Sequence, residues 1–72
     1  MYVKDRVIIR TTSNISYIGK ICNNDLVNED GFLIKTNPNL NMKIWIPLEE
    51  ITNIIDNSRI YTAKEYKNLL CN

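Results

Sequence analysis

The sequence predicts an all-β fold, a small β-barrel of five strands with a short C-terminal α-helix, and three observations support it. The first is an alternation over residues 42–46, in which Met42, Ile44 and Ile46 alternate with Lys43 and Trp45. This pattern is typical of a half-buried strand. The second is Pro47, which has no N–H to donate and ends that strand. A short corner at residues 48–50 then leads into a fifth strand at 51–55, as expected where a sheet bends over to close. The third is a capping box that begins at Thr62 and predicts a helix over about 63–71.

The first two strands are predicted over residues 2–11 and 15–22, which are rich in β-forming side chains. Residues 12–14 have turn chemistry, so we expect the two strands to form a hairpin. Both faces of the second strand carry apolar residues, which predicts that it is covered on each side for part of its length. Gly19, in the middle of this strand, indicates a sharp bend or a close backbone approach.

A polar loop separates the hairpin from the third strand. It covers residues 23–31 and ends in Asp30-Gly31, a pair typical of a tight turn that leads into a strand. The third strand is predicted over residues 32–36, followed by a proline-containing turn over 37–41.

The tail of the chain has a helical pattern. Asn57 and Ser58 break the β pattern, and Tyr66, Leu69 and Leu70 then fall at i, i+3 and i+4, which gives a two-turn helix one apolar stripe. A helix of this length is not stable alone, so we expect it to pack on the barrel or on a neighbour.

Length and composition define one domain, residues 1–72, of nearly neutral charge. The chain has nine basic and eight acidic residues, so its total charge produces no strong positive potential that would attract nucleic acid. The first strand does carry a basic face of Lys4, Arg6 and Arg10. This face could bind phosphate, but basic residues on an edge strand also prevent unwanted pairing, and we favour that interpretation.

Several function classes are excluded or disfavoured. The chain has no histidine, two cysteines and two glycines, so we predict no metal site, no cofactor and no phosphate loop. The carboxylates cluster in loops without a nucleophile beside them, so we predict that the protein is not an enzyme. No secretory signal or long apolar run is present, which predicts a cytoplasmic protein with no membrane partner.

The order of strands, loop and corner resembles the Sm-like small β-barrel, the family of bacterial RNA chaperones, over residues 7–55. Gly19, Asp25 and Asn28 occupy places similar to the first motif of that family, and residues 44–51 are similar to its second motif. The resemblance implies rings in which strand four pairs with strand five of the next subunit, and it implies uridine-rich RNA as a ligand. The basic signature of the second motif is absent, and Lys43 is a loose substitute. An SH3-like barrel is the alternative fold.

The resemblance makes Asp25 and Asn28 candidate contacts for a base or a ribose. The alternative is that both side chains cap their own loop through hydrogen bonds to the backbone, as Asn and Asp commonly do in such segments.

Lys43 and Trp45 are the second candidate pair, because they share a strand face. A tryptophan beside a cation can stack on a base or anchor a protein interface. The alternative is that the C-terminal helix covers Trp45, with Leu69 and Leu70 against the indole.

Two functional hypotheses follow. The first is a non-catalytic binding module, a homo-oligomer joined through strand edges, that contacts RNA or a nucleotide-sized ligand. The second is a protein-interaction module, encoded by a phage or another mobile element, that blocks a host defence protein. The Sm-like pattern favours the first, and the near-neutral charge favours the second.

Overall fold

A computed structural model describes residues 6–36, 39 and 42–71, and these form six strands and one helix. The strands pair antiparallel throughout, in the order β4-β3-β2-β1-β5-β6. Their bounds are β1 Val7–Thr11, β2 Ser16–Ile21, β3 Gly31–Lys35, β4 Ile44–Pro47, β5 Ile51–Asp56 and β6 Arg59–Tyr61, with a 3₁₀ turn at Leu48–Glu50 and helix α1 at Ala63–Cys71. The predicted hairpin, the one-turn corner and the C-terminal helix are therefore confirmed.

The sheet bends at Gly19 on β2. Up to Gly19, β2 pairs with β1, and from Lys20 onward it pairs with β3. A Cβ atom on Gly19 would lie 2.5 Å from the carbonyl oxygen of Lys35 and 2.7 Å from Cγ2 of Ile34. Only glycine fits this approach, so the close contact that the sequence predicted at this position is confirmed.

The core lies between the two halves of the bent sheet and under the helix. Tyr66 of α1 is fully buried, with its ring centroid 6.3 Å from that of Phe32 and 5.3 Å from that of Tyr61. Its hydroxyl donates a hydrogen bond of 2.9 Å to Oδ2 of the buried Asp56. The helix therefore belongs to the core. The buried apolar residues are Val7, Ile9, Phe32, Ile34, Ile46, Ile51, Ile54, Ala63 and Tyr66.

The capping box forms as predicted at the start of α1. The Thr62 N–H donates to Oε1 of Glu65 at 2.9 Å, and the Glu65 N–H donates to Oγ1 of Thr62 at 3.1 Å. The apolar stripe is narrower than expected, because Leu70 packs against the core whereas Leu69 is 52 % exposed.

Two predictions about the strands need correction. The chain has six strands instead of five, because Asn57 and Ser58 adopt left-handed backbone angles of φ 54° and 70° that suit a two-residue hairpin turn into β6. The cover predicted for part of the outer face of β2 is absent, because the three residues on that face, Ser16, Ile18 and Lys20, are all exposed. The sheet is also open in the part of the chain that the structure describes, with β4 and β6 at its two ends.

The sequence predicts Asp30-Gly31 as a tight turn before a strand that begins at residue 32, whereas β3 begins at Gly31 itself. Neither glycine has a positive φ. The predicted turn over 37–41 falls outside the described residues apart from Asn39, as do residues 2–5 of the predicted first strand. No helix within the described ranges is long and apolar enough to span a membrane.

Candidate nucleic-acid interface

Three lysines form a row across the outer face of β2, β3 and β4, which we call the lysine row. Lys20 and Lys35 are direct partners in the β2–β3 pairing. The β3–β4 pairing runs to Ile34 opposite Ile44, and Lys43 is the residue just before β4, where it lines the same cleft as Lys35. Like charges placed directly opposite each other in a sheet are destabilising, and an anionic ligand would relieve that repulsion.

The lysine row lines a cleft of about 870 Å³. Half of the lining residues are basic and none is acidic, so the cleft has a positive potential. It holds four of the nine basic residues of the chain, and the near-neutral total charge therefore conceals an uneven distribution. The lining consists of Arg6, Ile18, Gly19, Lys20, Cys22, Lys35, Thr36 and Lys43.

Strand alternation places Trp45 beside this row. Ile46 on β4 and Phe32 on β3 are buried, so their neighbours Trp45 and Leu33, which are opposite each other in the register, lie on the outer face. Trp45 therefore lies on the outer face, as expected from the sequence. Lys43 precedes β4 by one residue, so its place on the same face stays a prediction from strand alternation.

The indole of Trp45 lies against the backbone of Gly31. A Cβ atom on Gly31 would be 2.6 Å from Cζ2 and 2.9 Å from Cε2 of the indole, so any larger residue would displace the ring. The side chain nevertheless remains 46 % exposed. Helix α1 packs chiefly against β5 and β6, and Leu69 is itself exposed, which does not fit the alternative in which Leu69 and Leu70 cover the indole.

Asp25 and Asn28 lie in the loop between β2 and β3, and they bind each other. The Asn28 Nδ2 donates to Oδ2 of Asp25 at 2.9 Å, and the Asn28 N–H donates to the Asp25 carbonyl at 3.1 Å. Both residues are exposed, and neither lines the cleft. The Asn28 side chain bonds the Asp25 side chain, whereas the capping alternative specified bonds to the backbone. The two candidate pairs of residues lie in separate places.

Asn23 organises the same loop. Its Nδ2 donates to Oε1 of Glu29 and to the carbonyl of Gly31, each at 2.9 Å, and its Oδ1 accepts from the Leu33 N–H at 2.8 Å. Lys67 of the helix adds a hydrogen bond of 2.8 Å from Nζ to the Glu29 carbonyl. The loop is thereby tied to both β3 and α1.

Sequence reasoning missed Lys20 and Lys35 as members of the site. A signal for Lys35 was present in the predicted turn over 37–41. If residues 36 and 42 flank a hairpin turn, the next pair outward is Lys35 and Lys43. The partnership of Lys20 with Lys35 required the register across the long loop, which no local pattern specifies.

The chemistry that these residues provide is binding of an anion beside an aromatic surface. Among the described residues no group of His, Cys, Asp and Glu could hold a metal ion. Cys22, at the edge of the cleft, is a free thiol. Comparison with known proteins finds no matching family model, no matching curated protein and no matching solved structure.

Proposed function

We propose that the protein is a non-catalytic module that binds single-stranded RNA across the outer face of β2, β3 and β4. The observation that carries the proposal is the lysine row beside the exposed Trp45. Proteins that bind single strands combine a positive groove for the backbone with aromatic side chains on which bases stack. Both parts are present here on one surface.

The lysine row supplies the phosphate contacts. Adjacent strands are about 4.8 Å apart, so the ammonium groups of Lys20, Lys35 and Lys43 can converge on neighbouring phosphates of one strand. Arg6, which lines the same cleft, extends the positive surface toward β1. Asp25 and Asn28, the contacts that the Sm-like resemblance implies, are not part of the proposed site, because a base would have to break their mutual hydrogen bonds.

Trp45 supplies the stacking surface. A side chain that is 46 % exposed and supported from behind by Gly31 offers one ring face at little cost in conformational entropy. Stacking of a base on an aromatic side chain contributes about 1–3 kcal/mol.

We also propose that the fold is a small Sm-like or SH3-like barrel. The bend of β2 at Gly19 and the 3₁₀ corner at Leu48–Glu50 support this assignment. The ring contact that the resemblance implies, β4 of one subunit on β5 of the next, would require β6 to move, because β6 already occupies that edge of β5. Self-association through strand edges would therefore join β4 of one copy to β6 of another.

The proposal is tested by titration with oligo-uridine, because Trp45 is the single tryptophan of the chain and its fluorescence reports stacking directly. We expect quenching at low salt and an affinity that falls with a log–log salt slope of about −0.7 for each phosphate contacted. Replacing Lys35 by Gln should reduce the magnitude of that slope by about 0.7.

The matched control is Lys64→Gln, which makes the same charge change at an exposed position on α1. It should leave both affinity and slope unchanged. Labelled RNA and anisotropy extend the test to Trp45→Leu, which should bind more weakly. Absence of quenching at about 20 mM salt, where screening of the lysine row is weak, would refute the proposal.

The second candidate function is a module that blocks a host protein, encoded by a phage or another mobile element. The exposure of Trp45 favours it as well, because tryptophan is a common anchor of protein interfaces. The two functions differ in the role of the cleft. RNA binding needs the lysine row, whereas an interface anchored on Trp45 would survive Lys35→Gln.

A further inference from the structure

Four isoleucines form a second row, on the outer face of the other half of the sheet, which we call the isoleucine row. Ile8 on β1 is opposite Ile18 on β2 and, on its other side, opposite Ile55 on β5. Ile55 is in turn opposite Ile60 on β6. The row therefore crosses four adjacent strands at one level, although its members are widely separated in the chain.

The isoleucine row faces away from the core. Ile9 and Ile54, the chain neighbours of Ile8 and Ile55, are fully buried, so strand alternation directs Ile8 and Ile55 outward. The two central members are half-buried by their neighbours, while Ile18 is 49 % and Ile60 69 % exposed. Exposed apolar patches on a protein surface commonly serve as interaction sites.

A polar pocket borders the row on one side. Arg10, next to Ile8 on the same face, is opposite Ser16 and Asn53, and these three residues line a pocket of about 320 Å³ with Thr11, Asn14 and Thr52. The Oδ1 atom of Asn53 is buried there and accepts no hydrogen bond.

Basic residues flank the isoleucine row along most of its length, and Glu65 of α1 lies near its end, where it lines a pocket with Ile60. Arg10 lies on one side of the isoleucine row, and Arg6 and Lys20 lie on the other. The only acidic residue within β1, β2, β5 and β6 is Asp56, which is buried. A second copy of the chain docked face to face would bring these cations together, whereas a partner with carboxylates would neutralise them.

We propose that the isoleucine row docks an amphipathic helix of a partner protein, with acidic residues beside its apolar stripe. Side chains at i and i+3 or i+4 of a helix are about 5–6 Å apart, which is close to the separation of about 4.8 Å between strands. A helix laid across the strands therefore places one apolar side chain on each isoleucine. The row extends over three strand spacings, the length of about ten helical residues.

This surface goes beyond RNA binding and is separable from it. The isoleucine row meets the cationic cleft only at Ile18, which lines both. Ile60 and Arg10 do not line the cationic cleft. Variants at these two positions therefore test the docking of a helix without touching the lysine row or Trp45.

The test uses two synthetic helical peptides that share one stripe of four leucines and differ only in their flanks, which are glutamates in one and lysines in the other. The ¹⁵N-labelled protein is titrated with each, and amide shifts are mapped. We expect the acidic peptide to shift the signals of the isoleucine row and the basic peptide to bind at least tenfold more weakly.

The variants make the outcome specific. Ile60→Ser should lower the affinity for the acidic peptide about tenfold, as expected from the loss of one apolar contact. Arg10→Gln should reduce the difference in affinity between the acidic and the basic peptide. Val27→Ser is the control, since Val27 is 65 % exposed and lies in the β2–β3 loop. It should change neither affinity, and all three variants should retain oligo-uridine binding.

Three results would overturn the proposal. The first is the absence of amide shifts in the isoleucine row at about 1 mM peptide, because an affinity below that level is too weak for a specific site. The second is equal binding of both peptides, which would exclude charge complementarity. The third is concentration-dependent shifts of the same signals in the protein alone, which would make a second copy the occupant.

Discussion

The substitution Lys35→Glu is expected to stabilise the protein and to abolish its RNA binding. Both effects follow from the lysine row. Lys35 is opposite Lys20 in the β2–β3 pairing. Opposite charges at such a position contribute about 0.2–1 kcal/mol, and like charges cost a similar amount. A glutamate at position 35 removes the repulsion from Lys20 and adds an attraction to it, so we expect the free energy of unfolding to rise by about 1 kcal/mol.

The measurement is urea denaturation, because urea adds no ions, at low salt and again in 1 M NaCl. Strand propensity changes little between Lys and Glu, since both are depleted in strands, so the gain should be electrostatic. The screening length falls from about 10 Å at 0.1 M to about 3 Å at 1 M salt, and the gain should therefore shrink. In a thermal scan the same gain corresponds to about 4–8 °C for a domain of this size.

Lys35→Gln is the matched variant, because it removes the repulsion without adding an attraction and should give about half the gain. RNA affinity should fall with both variants and further with the charge reversal. A loss of stability for Lys35→Glu at low salt, or a gain unchanged in 1 M NaCl, would show that Lys20 and Lys35 are not coupled electrostatically. Stabilisation with unchanged RNA affinity would refute the cleft as the binding site.

Two further substitutions test the fold. Gly19→Ala places a Cβ atom 2.5 Å from the backbone carbonyl oxygen of Lys35, which cannot rotate away, and should lower the free energy of unfolding by about 1–3 kcal/mol as overpacking does; a urea midpoint equal to that of the parent would contradict the close approach. Tyr66→Phe keeps the packed ring and removes the hydroxyl that donates to Asp56 at 2.9 Å, so we expect a loss of about 1.5–3 kcal/mol, and a loss near zero would show that this buried hydrogen bond contributes little.

Local signals in the sequence predicted several elements correctly. The capping box at Thr62 has its partner three residues away, and the corner after Pro47 is a property of a single short segment. Gly19 was informative because a glycine inside a β pattern commonly marks a bend, a bulge or a close backbone approach. These features depend on residues close together in the chain, so periodicity and turn chemistry are sufficient to find them.

The sixth strand was missed for a physical reason. Asn57 and Ser58 both adopt positive φ angles, which are uncommon in residues other than glycine. Asn-Ser is a weaker hairpin signal than Asn-Gly, and only three residues follow in β6. The stability of this strand comes from its pairing with β5, which the chain adopts only as part of the sheet.

Periodicity and capping chemistry are enough to predict a β-rich chain with a capped C-terminal helix, and to predict that Lys43 and Trp45 share a face. Which residues lie beside them depends on the folded chain. Strand register places Lys20 opposite Lys35, and Lys43 lines the same cleft. Register also aligns Ile8, Ile18, Ile55 and Ile60 in a row. A shift of one residue would turn either set to the opposite face. Register across a long loop follows from packing of the whole core, and both proposed binding surfaces therefore exist only in the folded protein.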